Sequence, residues 1–87
     1  MNNLKDMQIQ KSHYESYLTY LYRRQKQIDK LISEHSEAYG SERNILIQLI
    51  EERMKIDYQI SEENKKIKDI NILIESNSKE NNIKDTV

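Results

Sequence analysis

Apolar residues recur at helical spacing from the start of the chain: Leu4, Met7, Tyr14, Leu18, Leu21, Ile28 and Ile32. Set out as heptads, Leu4, Lys11, Leu18, Gln25 and Ile32 fall at a, and Met7, Tyr14, Leu21 and Ile28 at d. A polar stretch follows, Ser33-Glu34-His35-Ser36-Glu37, leading to Ala38-Tyr39-Gly40-Ser41. The pattern then resumes, with Leu46, Arg53, Ile60, Ile67 and Ile74 at a and Leu49, Ile56, Glu63 and Ile70 at d. Gly40 is the chain's one glycine and suits a left-handed residue at a helix end, while Ser41 is a good N-cap for the next helix. Glu42 in the first turn complements the positive end of that helix. The spacing therefore predicts helix 1 over about 3–37, a turn over about 38–41 and helix 2 over about 42–76. Residues 77–87 have almost nothing to bury and read as a disordered tail.

The heptad phase passes unbroken through the gap, since Ile32, Tyr39 and Leu46 are seven apart, so a continuous rod of about 110 Å competes with a hairpin. Folding back near Ala38–Tyr39 brings residues whose numbers sum to about 78 to one level. Leu4 then meets Ile74, Met7 meets Ile70, Leu18 meets Ile60, Leu21 meets Ile56, Ile28 meets Leu49 and Ile32 meets Leu46. The polar seam positions coincide too, Gln25 with Arg53 and the Tyr14 hydroxyl with Glu63, and Arg24 falls beside Glu52. A parallel dimer of the rod would instead bury Arg53 against Arg53 and Glu63 against Glu63, which is costly. The fold class expected is all-α, a two-helix antiparallel hairpin, coiled-coil-like, over residues 1–76.

Two helices enclose little volume and need a further surface for stability. Helix 2 opens with Ile45, Leu46, Ile47, Leu49 and Ile50, a wider apolar face than a two-stranded seam uses. Helix 1 adds Tyr17, Tyr20 and Tyr22, rings that bury while their hydroxyls stay wet. The surplus predicts a larger helical bundle, formed with itself or with another helical protein. Tyr17, Leu21, Ile45, Leu46, Leu49 and Ile50 are the residues expected at that contact.

Composition narrows the function classes. The chain has 87 residues, no Cys, no Pro and no Trp, so it carries no disulfide frame, thiol nucleophile or thiolate metal site. No apolar run approaches a membrane span, and the polar Met1-Asn2-Asn3 opening does not resemble a signal peptide. The expectation is a cytoplasmic protein, or one exported together with its partner, that does not insert into membranes. His13 and His35 are too far apart to share a metal, and the adjacent pairs Glu51–Glu52 and Glu62–Glu63 diverge around a helix rather than converge. With no phosphate loop and little concavity, neither an enzyme nor a cofactor is expected.

The net charge of −1 conceals a layout: residues 1–32 carry six basic and three acidic groups, and residues 33–63 carry three and eight. Opposite charge on the two arms favours folding back. The basic stretch Arg23, Arg24, Lys26 and Lys30 is the one nucleic-acid signal, a stripe that a symmetric four-helix dimer would double. The acidic Glu51, Glu52 and Asp57 of a folded-back helix 2 would neutralise much of it, so nucleic acid ranks second as a partner.

A Cys-free hairpin of this length with the aromatic-Gly pair Tyr39-Gly40 at its bend resembles the small helical proteins of type VII secretion, the WXG100 proteins and the short partners of LXG toxins. Those proteins carry Trp-x-Gly at the bend, where this chain has Ala38-Tyr39-Gly40. Their aromatic-x-x-x-acidic signal is matched here only by Tyr58 and Glu62, inside helix 2. The resemblance implies a partner protein that binds the helical domain of a secreted toxin and presents it for export. Thirteen Ile against one Val and one Ala suggest an AT-rich genome, which suits that role and equally a phage or plasmid inhibitor of a host protein. The expected function is a non-enzymatic helical interaction module, with a homodimeric nucleic-acid-binding regulator as the alternative from another class. Fold-back has a direct test. In a Leu18→Cys, Ile60→Cys chain, rapid crosslinking within one chain at high dilution is expected, and crosslinks formed only between chains would return the rod.

Overall fold

The computed structural model describes residues 4–37 and 39–86, with the side chains of Ser41 and of residues 79–86 outside the description. It is an antiparallel hairpin of α1, Leu4–Glu34, and α2, Ser41–Thr86, and holds no strand among the described residues. Its long axis is 72 Å, close to the length that 46 residues reach at about 1.5 Å each, so α2 sets the length of the molecule.

α1 ends sooner than its heptads suggest. The His35 amide donates to both Leu31 O (3.1 Å) and Ile32 O (3.2 Å), and the Ser36 amide to Ser33 O (3.4 Å). Side chains finish the termination: His35 Nδ1 lies 2.8 Å from Leu31 O and the Ser36 hydroxyl donates to Ser33 O at 3.0 Å. These bonds occupy carbonyls that a helix end leaves without partners. His35 is half-buried and closes α1. Gly40 has φ 65°, the left-handed conformation in which a side chain is strained, and its carbonyl accepts from the Arg43 amide at 3.1 Å. The glycine thus shapes the entry to α2. The proposed Ser41 cap falls on a side chain outside the described residues.

α2 does not stop at Ser76. Its helical backbone continues to Thr86, through most of the segment read as a disordered tail, while Val87 lies outside the described residues. That segment offers few apolar residues to bury. A helix satisfies its backbone hydrogen bonds internally, however, and no Pro or Gly follows Gly40 to interrupt it. Near this end, Asn77 Nδ2 donates across the helices to Met7 Sδ at 3.5 Å.

The seam follows the paired layers. Leu21 (1% exposed) and Ile28 (0%) are enclosed by Ile56 and Ile60, with Leu18, Ile32 and Leu49 packed around them. Met7 and Ile70 are buried toward the open end. Between these two apolar stretches the seam turns polar. Glu63 is buried (4% exposed) and its carboxylate is met by Lys66 Nζ at 3.3 Å, which also sits 5.7 Å above the centre of the Tyr14 ring. The Tyr14 hydroxyl, expected on Glu63, instead accepts from Gln10 Nε2 at 2.7 Å. Lys66, one turn beyond Glu63, takes the role assigned to the phenol because a full charge compensates a buried carboxylate better than a neutral hydroxyl does.

Polar clamps hold the two edges of the seam. On one, Arg24 Nη2 and Nε reach Glu52 Oε1 at 2.9 and 3.2 Å, as the pairing predicts. On the other, Arg53 Nε and Nη2 fork onto the Asp29 carboxylate at 2.6 and 3.5 Å. Arg53 also bonds Asp57, and Gln25 Nε2 donates to the same Asp57 Oδ1 at 3.0 Å. The expected Gln25–Arg53 layer therefore exists in modified form, joined through Asp57 and anchored by Asp29. Gln25 presents its amide NH2 and Arg53 its guanidinium, so both arrive as donors, and the charged carboxylates of the aspartates are stronger acceptors than the Gln25 carbonyl.

Two outcomes follow. Ile28→Ala should cost about 2–5 kcal/mol by urea unfolding followed by circular dichroism, against less than about 0.5 kcal/mol for the exposed Ile9→Ala. Replacing Gln25 and Arg53 together by Leu should raise the melting temperature, since the aspartates left behind are half-exposed and rehydrate. The same variant should admit shifted registers, visible as additional disulfides when cysteines are placed across the seam.

Candidate interaction surface

Beyond the seam, α2 carries a second apolar stripe. Ile47, Ile50, Met54 and Tyr58 are all exposed, Met54 and Tyr58 by about two thirds (66% and 67%). Their spacings of three, four and four residues place them on one helix face. At 3.6 residues per turn that face points about 150° away from the side of α2 that carries Leu49, Ile56 and Ile60. α1 therefore cannot cover it. At its bend end the stripe runs into a groove of about 390 Å³ lined by Ser36, Glu37, Tyr39, Arg43, Leu46, Ile47 and Ile50. Tyr39 stands on the rim, the most exposed large apolar side chain among the described residues.

α1 has a smaller aromatic feature. Tyr17 and Tyr20 stack with ring centres 6.0 Å apart and planes inclined by 17°. Both rings remain substantially exposed, which leaves a flat, amphipathic surface with wet hydroxyls.

The residues expected at a partner contact divide accordingly. Tyr17, Ile45 and Ile50 are exposed. Leu46 and Leu49 are half-buried, Leu49 against the hairpin's own core. Leu21 is fully enclosed between the helices and has no surface left to offer, which removes it from the contact set. The structure adds Ile47, Met54 and Tyr58. Their signal was present in the sequence as a second run at helical spacing, offset from the heptad frame that defines the seam.

Tyr58 and Glu62 lie one turn apart on α2, and Glu62 Oε1 pairs with Lys65 Nζ at 3.3 Å. Of the basic stretch, Arg24 is committed to Glu52. Arg23, Lys26 and Lys30 are exposed, and helical spacing sets them on the outward side of α1. The neutralisation expected from helix 2 reaches Arg24 alone, because Asp57 faces Arg53 and Gln25 instead.

Among the described residues no cluster of three or more His, Asp or Glu is arranged to hold a metal ion, and no helix is long and apolar enough to cross a membrane. The grooves are shallow and lie along the two helices or at the bend, without a convergent set of polar groups. What the surface offers is apolar contact along a helix. No protein-family model matches the chain, and no curated protein or solved structure shows significant similarity to it.

Proposed function

We propose that the protein is a non-enzymatic helical interaction module that packs the outward face of α2 against a helix of another chain. The observation that carries this reading is the exposed stripe Ile47–Ile50–Met54–Tyr58 on the side of α2 turned from α1. Apolar residues at heptad-like spacing on a solvent face cost solubility and add nothing to the hairpin, whereas a facing helix gains from burying them. Within this reading, the resemblance to type VII secretion hairpins makes the helical domain of a secreted toxin one candidate partner. The exposed Tyr58 with Glu62 one turn on supports that candidate.

A nucleic-acid-binding reading keeps one observation in its favour: Arg23, Lys26 and Lys30 share the outward side of α1 and have no acidic partner among the described residues. It requires binding to RNA or DNA that weakens steeply with salt. A titration without affinity at low salt removes it.

The interaction reading is tested by chemical crosslinking of the full chain in its host cells, with Met54→Glu as the comparison. Wild type should form a crosslinked species that the variant loses, while the circular dichroism spectrum and melting curve of the variant stay those of wild type. Crosslinking that is absent, or indifferent to Met54→Glu, sinks the reading.

A further inference from the structure

We infer that the occupant of the α2 stripe is the same stripe of a second copy, packed antiparallel about a two-fold axis that crosses α2 between Glu52 and Arg53. This inference rests on the interaction reading above and names its partner. The argument is one of self-complementarity. An isologous contact places each residue against its own mirror position, so a surface is suited to it only if its two halves match when reversed. About the midpoint of Glu52 and Arg53, Ile47 comes level with Tyr58 of the second copy, and Ile50 falls within one residue, about 1.5 Å, of Met54. The four exposed apolar residues pair off among themselves, and none is left facing a polar group.

The charged flank of the stripe reverses in the same way. Glu51 and Lys55 lie on the same edge of the stripe, both exposed, and neither has an ion-pair partner among the described residues. In the antiparallel arrangement an edge faces the same edge of the other copy, so Glu51 comes within one residue, about 1.5 Å along the axis, of Lys55 twice over, within reach of two long side chains. A parallel pair would turn that edge toward the opposite one, where Asp57 is already held by Arg53 and Gln25. The unlike charges would then be lost as partners. Antiparallel packing is thus favoured by both the apolar and the charged positions.

Since α1 occupies the far side of each α2, the dimer is a flat row of four helices in the order α1, α2, α2, α1, every neighbour antiparallel. Four apolar side chains per copy make a contact at the small end of the range for specific interfaces, less than about 1,200 Å². An interface of that size is of the weak, transient kind, with monomer and dimer exchanging.

Sedimentation equilibrium of the full chain across the micromolar range tests this. Wild type should fit a monomer–dimer equilibrium, and Met54→Glu should remain monomeric with an unchanged circular dichroism spectrum, its melting curve matching that of wild type at concentrations where wild type too is monomeric. Glu51→Lys and Lys55→Glu should each weaken the dimer by about tenfold, since each creates two like-charge oppositions by symmetry. The double exchange, Glu51→Lys with Lys55→Glu, should restore it. A wild-type chain that stays monomeric overturns the dimer, as does a dimer indifferent to Met54→Glu or one that the double exchange fails to rescue. If the chain is monomeric yet Met54→Glu still abolishes crosslinking to a different protein in cells, the second copy falls and the interaction module stands. If that crosslinking is absent too, both fall.

Discussion

Two helices lying side by side exclude water only along the strip where they touch, and in this chain that strip is held by very few residues. Leu21 and Ile28 from α1, closed in by Ile56 and Ile60 from α2, form its dry centre. Small folds bury a modest fraction of their surface, so a hairpin with one narrow core has little stability to spare. The other features of the molecule are consequences of that scarcity. The seam must be unambiguous, because a one-turn slip would exchange one set of weak contacts for another of nearly equal worth. The edge clamps supply the distinction. Arg24 with Glu52 and Arg53 with Asp29 are half-exposed pairs that each add at most about 1 kcal/mol. They fix the register because a slipped helix leaves every one of them without its partner.

The same scarcity separates the two apolar faces of α2. The seam side is consumed by α1, and the stripe of Ile47, Ile50, Met54 and Tyr58 lies too far around the helix to share in it. Polar residues there would keep the hairpin soluble, yet the chain places isoleucines, a methionine and a tyrosine. Met adapts its shape and Tyr keeps a wet hydroxyl beside a buried ring, properties suited to a surface that is covered part of the time. On the reading proposed above, the hairpin contributes this helix face to an assembly by packing it against another helix.

Much of this was legible in the sequence. Pairing Leu21 with Ile56 and Leu18 with Ile60 needed only the heptad positions and the assumption of fold-back, and Arg24 beside Glu52 followed from the same register. The a and d positions identify what enters the seam but leave out the flanks. Arg53 was matched with Gln25 across the seam, while its acceptors, Asp29 and Asp57, stand at neighbouring flank positions one turn away from each of them. Tyr14 was matched with Glu63 in the same way, although Lys66 on the next turn carries the charge that a buried carboxylate needs. Leu21 was assigned to a partner because the width of the apolar face was visible but its division into two directions was not. Helix 2 was ended at Ser76 on hydrophobicity, a quantity that decides packing and does not by itself end a helix.

Gly40 and the short bend place the two strips of the seam at sequence separations that grow steadily with distance from the turn. Ile32 and Leu46 are fourteen residues apart, whereas Met7 and Asn77 are seventy. Joining the first pair closes a small loop, and each further layer lengthens a loop already mostly formed, so little extra entropy is lost at each step. The hairpin can therefore close like a zip from the bend outward, each layer adding only a short new loop once the layer before it has formed. Opening runs the other way: the far end, where Met7 and Ile70 are divided from the main core by the polar Glu63, parts first and exposes its amides to solvent exchange while the bend is still shut.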